Sequence, residues 1–310
     1  MGHDSRVRDL HLLPKFGDRL SFIYIEHAKI DRDANAIAFH NADGVTQVPV
    51  ASLAVLMLGP GTSITHAAVS VLAENNCLVV WCGEENVRFY ASGMGGTRSA
   101  GSLLHQARLA SNEETRLQVV KRMYRMRFEE DLPEEISVEE LRGKEGSRVR
   151  TTYARVSAET GVRWSGRSYD RGDWSKADPV NRALSAANSC LYGLCHAAIL
   201  SAGYSPAIGF IHTGKQLSFV YDIADLYKVD VTIPLAFRIA AQSPPELERA
   251  VRLACRDVFR QTRLVRRIIP DIRLALGETE PEENSPFDED EALPGELWTP
   301  STEAGTGEKK

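Results

Sequence analysis

One stretch of the sequence, Gly209 to Lys228, brings together side chains that can bind a metal ion. His212 comes first, and a glycine-containing turn separates it from Asp222 and Asp225. On a helix the three-residue spacing places both carboxylates on one face. Imidazole suits transition metals, and carboxylates suit Mg2+ or Mn2+. The stretch therefore predicts a metal-ligand set. The alternative is structural, because aspartates at this spacing are usually a solvated face or a cap, and a single histidine is usually a core or surface residue.

A second pattern follows the capping sequence Ser243-Pro244-Pro245-Glu246 and consists of arginines. Their spacings of three and four predict one continuous basic face on a single helix. The residues are Arg249, Arg252, Arg256, Arg260, Arg263 and Arg267. Like charges on one face repel one another unless a polyanion neutralises them. We interpret this face as a contact for the nucleic-acid backbone; the alternative is a solvated face in which Glu248 pairs with Arg252.

The composition is that of a globular protein. The chain has 310 residues, of which 43% are hydrophobic and 25% are charged, so one or two domains are expected. No apolar run reaches membrane-spanning length, and residues 1–14 carry charges where a signal peptide needs an apolar core. We therefore expect a soluble, cytoplasmic protein without a membrane segment. The five cysteines lie in apolar surroundings, which favours buried free thiols over disulfides.

Hydrophobic periodicity predicts an α+β fold in which an N-terminal β-rich domain, residues 1–93, precedes a larger all-helical domain, residues 94–277. The boundary is placed at the glycine-rich sequence Gly93-Met94-Gly95-Gly96. A helix from Thr65 to Glu74, capped by Ser63 or Thr65, interrupts the strands. Strands are predicted at residues 20–25, 36–39, 45–50, 53–58, 77–81 and 87–91. The helix from Asn181 to Ala202 is apolar nearly all round, which predicts that other helices surround it.

The last segment, residues 278–310, differs in charge from the rest of the chain. It holds eleven acidic and two basic residues, whereas the whole chain has a net charge of -5. The rest of the chain is therefore mildly basic, which is compatible with DNA binding. We predict a disordered acidic tail, because so polar a segment cannot bury enough apolar area to fold alone. Its sizeable apolar residues include Leu293, Leu297 and Trp298.

Four stretches, in order, resemble the CRISPR-associated adaptation integrase in its subtype I-E form, the nuclease-like subunit of spacer acquisition. They are Pro60-Gly61-Thr62 with Thr65-His66-Ala67-Ala68, Leu141 to Arg150, Gly209 to Lys228, and Val251 to Asp257. The resemblance covers roughly residues 15–277 and leaves out the tail.

The resemblance implies a homodimeric enzyme whose active subunits each bind one divalent ion, Mg2+ or Mn2+. The implied metal ligands are Glu145, His212 and Asp225, and Asp222 is implied as a further catalytic residue close to the ion. Glu145 depends on the resemblance alone, since a glutamate followed by Arg148 on a helix is ordinarily a surface ion pair.

The resemblance also implies contacts with DNA phosphates, through Arg88, Lys215 and Lys228. Arg142, Arg148 and Arg150 flank Glu145 and can serve the same purpose. Phosphate contacts carry no sequence information, so broad acceptance of DNA sequences is expected. The implied reaction inserts short duplexes with 3' overhangs into CRISPR repeat DNA. A small second subunit is the implied protein partner, held in part by the C-terminal tail.

Two other functions stay open at this point. A catalytically silent DNA-binding scaffold would lack a metal ligand, whereas all three are present. A free-standing structure-specific nuclease in DNA repair would use the same site, with water in place of a 3'-hydroxyl as the attacking group. The neighbourhood of a repeat array and of a gene for a small second subunit would favour integration over repair.

Overall fold

The computed structural model describes residue 19 and residues 22–83, 89–95, 100–128, 131–133, 135–167 and 178–278. Strands dominate the first part of this range and helices the second, which confirms the predicted fold class. The strands are β1 (Ile23–Ile25), β2 (Lys29–Asp33), β3 (Ala36–Asn41), β4 (Gly44–Pro49), β5 (Val55–Leu58), β6 (Ser63–Ile64), β7 (Leu78–Cys82) and β8 (Phe89–Gly93). The helices are α1 (His66–Glu74), α2 (Gly101–Ser111), α3 (Glu113–Arg125), α4 (Val138–Thr160), α5 (Pro179–Ser201), α6 (Ser218–Ala224), α7 (Ile233–Gln242), α8 (Leu247–Gln261) and α9 (Leu264–Leu276), with a π-helix at Lys228–Thr232 before α7.

The first sheet has the order β1-β5-β7-β8, with β1, β5 and β7 parallel and β8 antiparallel at the edge. Every residue of β5 is buried. Leu56 and Leu58 pack toward α1 and the second sheet, whereas Val55 and Met57 pack toward the helices. Burial of both faces explains why this strand is a continuous apolar run.

The second sheet has the order β4-β3-β2-β6. β3 and β4 form a hairpin around the sequence Asn41-Ala42-Asp43-Gly44, in which Gly44 has a φ of 126° that favours glycine. The cap at Thr65 is also confirmed, since its side chain accepts a hydrogen bond from the Ala68 N–H. β2 and β6 were not predicted, because β2 has a single fully buried residue, Ile30, and β6 has only two residues.

Helix α5 forms the centre of the helical part, as predicted, and packs against α6, α7, α8 and α9. Contrary to the sequence interpretation, α5 does have the length and mean hydropathy (1.3) of a membrane-spanning helix. In the folded protein, however, 78% of its most apolar window is buried. Its apolar character is therefore that of a core helix, and by itself it is weak support for a membrane segment.

The β-rich and helical parts share one hydrophobic core. Val55 and Met57 of β5 and Val80 of β7 belong to the same buried cluster as Leu191 and Leu194 of α5. The domain boundary predicted between residues 93 and 94 therefore marks a change from strands to helices. The hydrophobic core is continuous across it. All five cysteines are buried and free, which confirms the prediction made from their surroundings.

Candidate active site

Asp222 organises the loop that precedes α6. Its carboxylate is completely buried and accepts backbone N–H bonds from Phe210 (2.6 Å), Ile211 (3.1 Å) and His212 (2.8 Å). The His212 ring adds a fourth contact, with Nδ1 2.7 Å from Asp222 Oδ1. Each carboxylate oxygen thus has two partners. Asp222 fixes both the backbone and the ring of His212, and its oxygens are fully engaged in doing so.

The contact with Asp222 determines which nitrogen of His212 faces the site. If Nδ1 carries the proton and donates it to the carboxylate, Nε2 keeps its lone pair. Nε2 lies 3.9 Å from Asp225 Oδ2. The hydrogen bond to Asp222 raises the pKa of His212, while partial burial acts in the opposite direction. The combination of a carboxylate behind the ring and a free nitrogen in front is typical of metal-binding histidines.

Glu145 reaches the same place from another element. It lies on α4, which starts with a capping box between Ser137 and Glu140 and ends at Gly161 with a left-handed φ of 71°. The Glu145 side chain is 13% exposed and points into a cavity of about 330 Å³ that His212 and Asp225 also line. Since a water molecule takes up about 30 Å³, the cavity has room for an ion, its waters and one phosphate group.

Two cations lie inside this cavity beside the carboxylates. Arg127 Nη1 is 3.5 Å from Glu145 Oε1, and its Nη2 is 4.0 Å from Asp225 Oδ2. Lys228 Nζ is 2.6 Å from Asp225 Oδ1. Burial, the largest single effect, favours the neutral amine of Lys228, but the charge of Asp225, the neighbouring Tyr192 and the hydrogen bonds to both together outweigh it, so the pKa of Lys228 is raised. Arg148 approaches Glu145 Oε2 at 3.6 Å and donates to both carboxylate oxygens of Asp230.

The donor types in the cavity fit a divalent ion. Two carboxylates and an oriented imidazole are a suitable set for Mg2+ or Mn2+, and Glu145 Oε2 is buried without a hydrogen-bond partner. In the described part of the chain, however, no three histidine, cysteine, aspartate or glutamate side chains form a closed set of ligands. The guanidinium of Arg127 approaches both Glu145 and Asp225.

Residues that are distant in the sequence bind the backbone of the loop that carries His212. Gln106 of α2 is fully buried and donates to the carbonyl oxygens of Ser205 (3.0 Å) and Ile208 (2.9 Å). Arg116 of α3 donates to the Phe210 carbonyl oxygen at 2.9 Å. Sequence reasoning did not find Gln106, Arg116 or Arg127. Each acts across more than fifteen residues of chain, and no local pattern marks it.

The predicted continuous arginine face is wrong. The helix breaks at Arg263, which has a left-handed φ of 51° between α8 and α9. Arg252 is 7% exposed and lies over the ring of Tyr24 in β1, 4.1 Å from its centroid. Glu248 is buried and pairs with Arg182 at 2.6 Å. The side chain of Arg252 therefore extends from α8 onto the first sheet, and it is not placed to contact DNA.

The other basic residues predicted to bind DNA have different environments. Arg249 and Arg256 are exposed on α8, and Lys215 is exposed on the loop before α6. Lys228 lies inside the candidate site, against Asp225 and the ring of Tyr192. Arg88 lies outside the described residues, as do the tail residues Leu293, Leu297 and Trp298.

We predict that exchanging Arg249 and Arg256 together for glutamine weakens the salt dependence of duplex binding. If both neutralise phosphates, the log-log slope becomes less steep by about 1.8, or about 0.9 for each phosphate that is no longer neutralised. Arg252→Gln should leave the slope unchanged and lower the stability, because its side chain packs on Tyr24. The slope is measured by fluorescence anisotropy with a labelled duplex. An unchanged slope in the double variant would show that this surface of α8 does not contact DNA.

The fold and the site together define a class. This is an α+β protein whose first sheet packs on a helical core, and whose helical part holds a cavity lined by two carboxylates and a histidine.

Comparison with known proteins identifies the family. The family model described as "CRISPR associated protein Cas1" matches residues 22–131 and 125–243. "CRISPR-associated endonuclease Cas1 2" of Thermus thermophilus is 57% identical over 295 residues, covering 95% of this chain and 91% of the relative. "CRISPR-associated endonuclease Cas1" of Escherichia coli is 52% identical over 267 residues, covering 85% and 88%. The chain belongs to the Cas1 family.

A solved structure agrees with this assignment. The protein in "Crystal structure of TtCas1-DNA complex" superposes with a TM-score of 0.79 at 52% sequence identity. The match covers 90% of this chain and 97% of the other. The resemblance noted in the sequence is thereby confirmed at the level of family and fold.

Proposed function

We propose that this protein is a divalent-metal-dependent DNA integrase and endonuclease that inserts short duplexes into CRISPR repeat DNA. The observation that carries the proposal is the convergence of Glu145, His212 and Asp225 on one cavity, with the free nitrogen of His212 directed at Asp225. The relatives named as CRISPR-associated endonucleases and the DNA complex of a related protein support it. We assign metal binding, by Mg2+ or Mn2+, to these three residues.

The reaction is a transesterification at phosphorus. The 3'-hydroxyl of the incoming duplex loses its proton and forms a new P–O bond, while the bond to the 3'-oxygen of the repeat breaks and that oxygen takes up a proton. One phosphodiester replaces another, so no external energy source is needed. Glu145, His212 and Asp225 would hold the divalent ion, which would supply Lewis-acid stabilisation of the charge that develops on the phosphodiester oxygens. Asp222 keeps the His212 ring in one orientation. Arg127 and Lys228 supply positive charge beside the reacting phosphate.

The direct test incubates the full-length protein with a short duplex that has 3' overhangs, a supercoiled repeat plasmid and the candidate second subunit. We expect covalently joined product with Mg2+ or Mn2+ and none after chelation with EDTA. A plasmid without the repeat is the control for target choice. Nicking of the plasmid without joining would instead identify a hydrolytic nuclease, in which water is the attacking group.

We also propose two protein contacts, with a second copy of the chain and with a small second subunit. Self-association is supported by the edge strand β8, where Phe89 and Tyr90 are 45% and 64% exposed. We assign part of the binding of the second subunit to the acidic tail. Glu278, the first residue of that segment and the last one that the structure describes, accepts a hydrogen bond from Tyr204 at 2.7 Å.

Removing residues 279–310 should abolish binding of the second subunit, because an ordered tail must gain its stability from buried apolar side chains. The double variant Leu297→Ala/Trp298→Ala should have the same effect and leave DNA affinity normal. Keeping Glu278 in the truncated protein preserves its contact with Tyr204. Both affinities are measured by biolayer interferometry. Tighter DNA binding after truncation, with no effect of the double variant, would show that the tail masks basic surface instead.

A further inference from the structure

The side chain of Arg127 is nearly enclosed at the candidate site. Arg127 follows the end of α3 by two residues, and its side chain is 3% exposed. The guanidinium lies 4.9 Å from the ring centroid of Tyr124, with Glu145 and Asp225 as its charged neighbours. The shorter of its two ion-pair distances is 3.5 Å, at the outer limit of a hydrogen bond. Charge, more than hydrogen bonding, therefore holds this arrangement together.

Several polar atoms here have no hydrogen-bond partner. Among the described residues they include Nε and Nη2 of Arg127, Oε2 of Glu145 and Nη1 of Arg148, all of them buried. Buried polar groups in proteins are normally satisfied, and a guanidinium usually binds a carboxylate through short paired hydrogen bonds. These buried atoms without hydrogen-bond partners lie around one cavity. The site thus holds donors and acceptors that an additional group would satisfy.

The charges that line this cavity already balance. Glu145 and Asp225 contribute two negative charges, and Arg127 and Lys228 contribute two positive ones. A divalent ion added to this set leaves an excess of two positive charges in a partly desolvated place, which is costly unless an anion accompanies it. A phosphodiester group is such an anion, and its oxygens match the geometry of a guanidinium.

We propose that Arg127 is a tethered cation that takes the place of a divalent ion between Glu145 and Asp225 in the ion-free protein. A DNA phosphate in the cavity draws the guanidinium toward its own oxygens and releases the two carboxylates for the ion. Ion and DNA phosphate therefore bind cooperatively, and each raises the affinity of the other by the same factor. This inference rests on the proposed function, because it concerns the same ligands.

The test measures Mn2+ affinity by electron paramagnetic resonance, with and without a short duplex, on the full-length protein. Mn2+ bound by the duplex alone is measured separately and subtracted. Without DNA, Arg127→Gln should bind Mn2+ more tightly than the wild type, on the order of tenfold, because a repelling charge about 4 Å away has been removed. Addition of the duplex should then raise the affinity of this variant by a smaller factor than it raises that of the wild type.

Two variants control for charge and position. Arg127→Lys keeps the positive charge, so its Mn2+ affinity should stay near that of the wild type. Arg155→Gln removes an arginine from the exposed surface of α4, where Arg155 pairs with Glu159 at 2.9 Å. Its Mn2+ affinity should also be unchanged.

Thermal unfolding separates this role from a purely structural one. Without the ion, Arg127→Gln should melt below the wild type, since two carboxylates lose a shared cation, and Mn2+ should raise its melting temperature more than that of the wild type. If Arg127→Gln does not fold, Arg127→Met replaces it, because the methionine keeps an aliphatic side chain against Tyr124. Its melting temperature should respond to Mn2+ in the same way. A loss of stability that Mn2+ does not repair would make Arg127 structural and overturn the inference.

The outcomes also separate this inference from the proposed function. If Glu145→Gln abolishes Mn2+ binding while Arg127→Gln binds Mn2+ no more tightly than the wild type, the inference is wrong and the metal site stands. If Glu145→Gln binds Mn2+ as the wild type does, the metal site is wrong and the inference fails with it.

Discussion

Replacing Glu145 by glutamine, Asp225 by asparagine or His212 by alanine should each lower the rate of DNA joining by at least about a thousandfold. On the proposed function, a divalent ion held by these residues would contribute several kcal/mol to the transition state, and each loss of about 1.4 kcal/mol lowers the rate tenfold. The two amides keep the shape of the carboxylates they replace, so the cavity stays intact. Rates are measured from the appearance of joined product under single-turnover conditions.

DNA affinity should stay the same or rise slightly in these variants. Each carboxylate lies among cations, and its removal makes the local potential more positive. Glu139→Gln is the matched control, because Glu139 is an exposed carboxylate on the same helix as Glu145. If two of the three variants join DNA at the wild-type rate, the assignment of the ligands is incorrect.

The parts of the fold that were predicted from the sequence are those with strong local periodicity. β5 is fully buried and α5 is buried over most of its surface, and their apolar runs are visible without knowledge of their neighbours. β2 was missed because most of its residues are polar and half-buried or exposed. Its place in the sheet comes from pairing with β3 and β6, which is tertiary information.

In the candidate site, too, the residues that a local sequence pattern marks were predicted and the others were not. His212, Asp222 and Asp225 lie within fourteen residues, so their spacing alone drew attention to them. Glu145 was found through the family resemblance, and Arg127 was not found at all. The arginine pattern failed for a related reason. Helical spacing assumes that the helix continues, and it cannot show that Arg263 ends one helix or that Tyr24 covers Arg252.

The second large effect should come from Asp222, through a different physical cause. Asp222→Ala leaves the N–H groups of Phe210, Ile211 and His212 without their acceptor. Because hydrogen bonds to a buried charge are worth about 1.5–3 kcal/mol each, the free energy of unfolding should fall by roughly 3 kcal/mol or more. The free energy of unfolding of Asp222→Asn should lie between those of Asp222→Ala and the wild type, since one of the two terminal atoms of asparagine donates where a carboxylate oxygen accepts. Chemical denaturation measures both values.

Joining by Asp222→Ala should be about as slow as in the His212 variant, because the His212 ring loses the partner that orients it. A double-mutant cycle tests whether Asp222 acts through that ring. In the His212→Ala background, removal of Asp222 should cost little further activity but should still lower the stability, since three of its four hydrogen bonds are to backbone N–H groups. If the second substitution instead slows joining as much as it does in the wild type, Asp222 acts on the ion or the DNA directly.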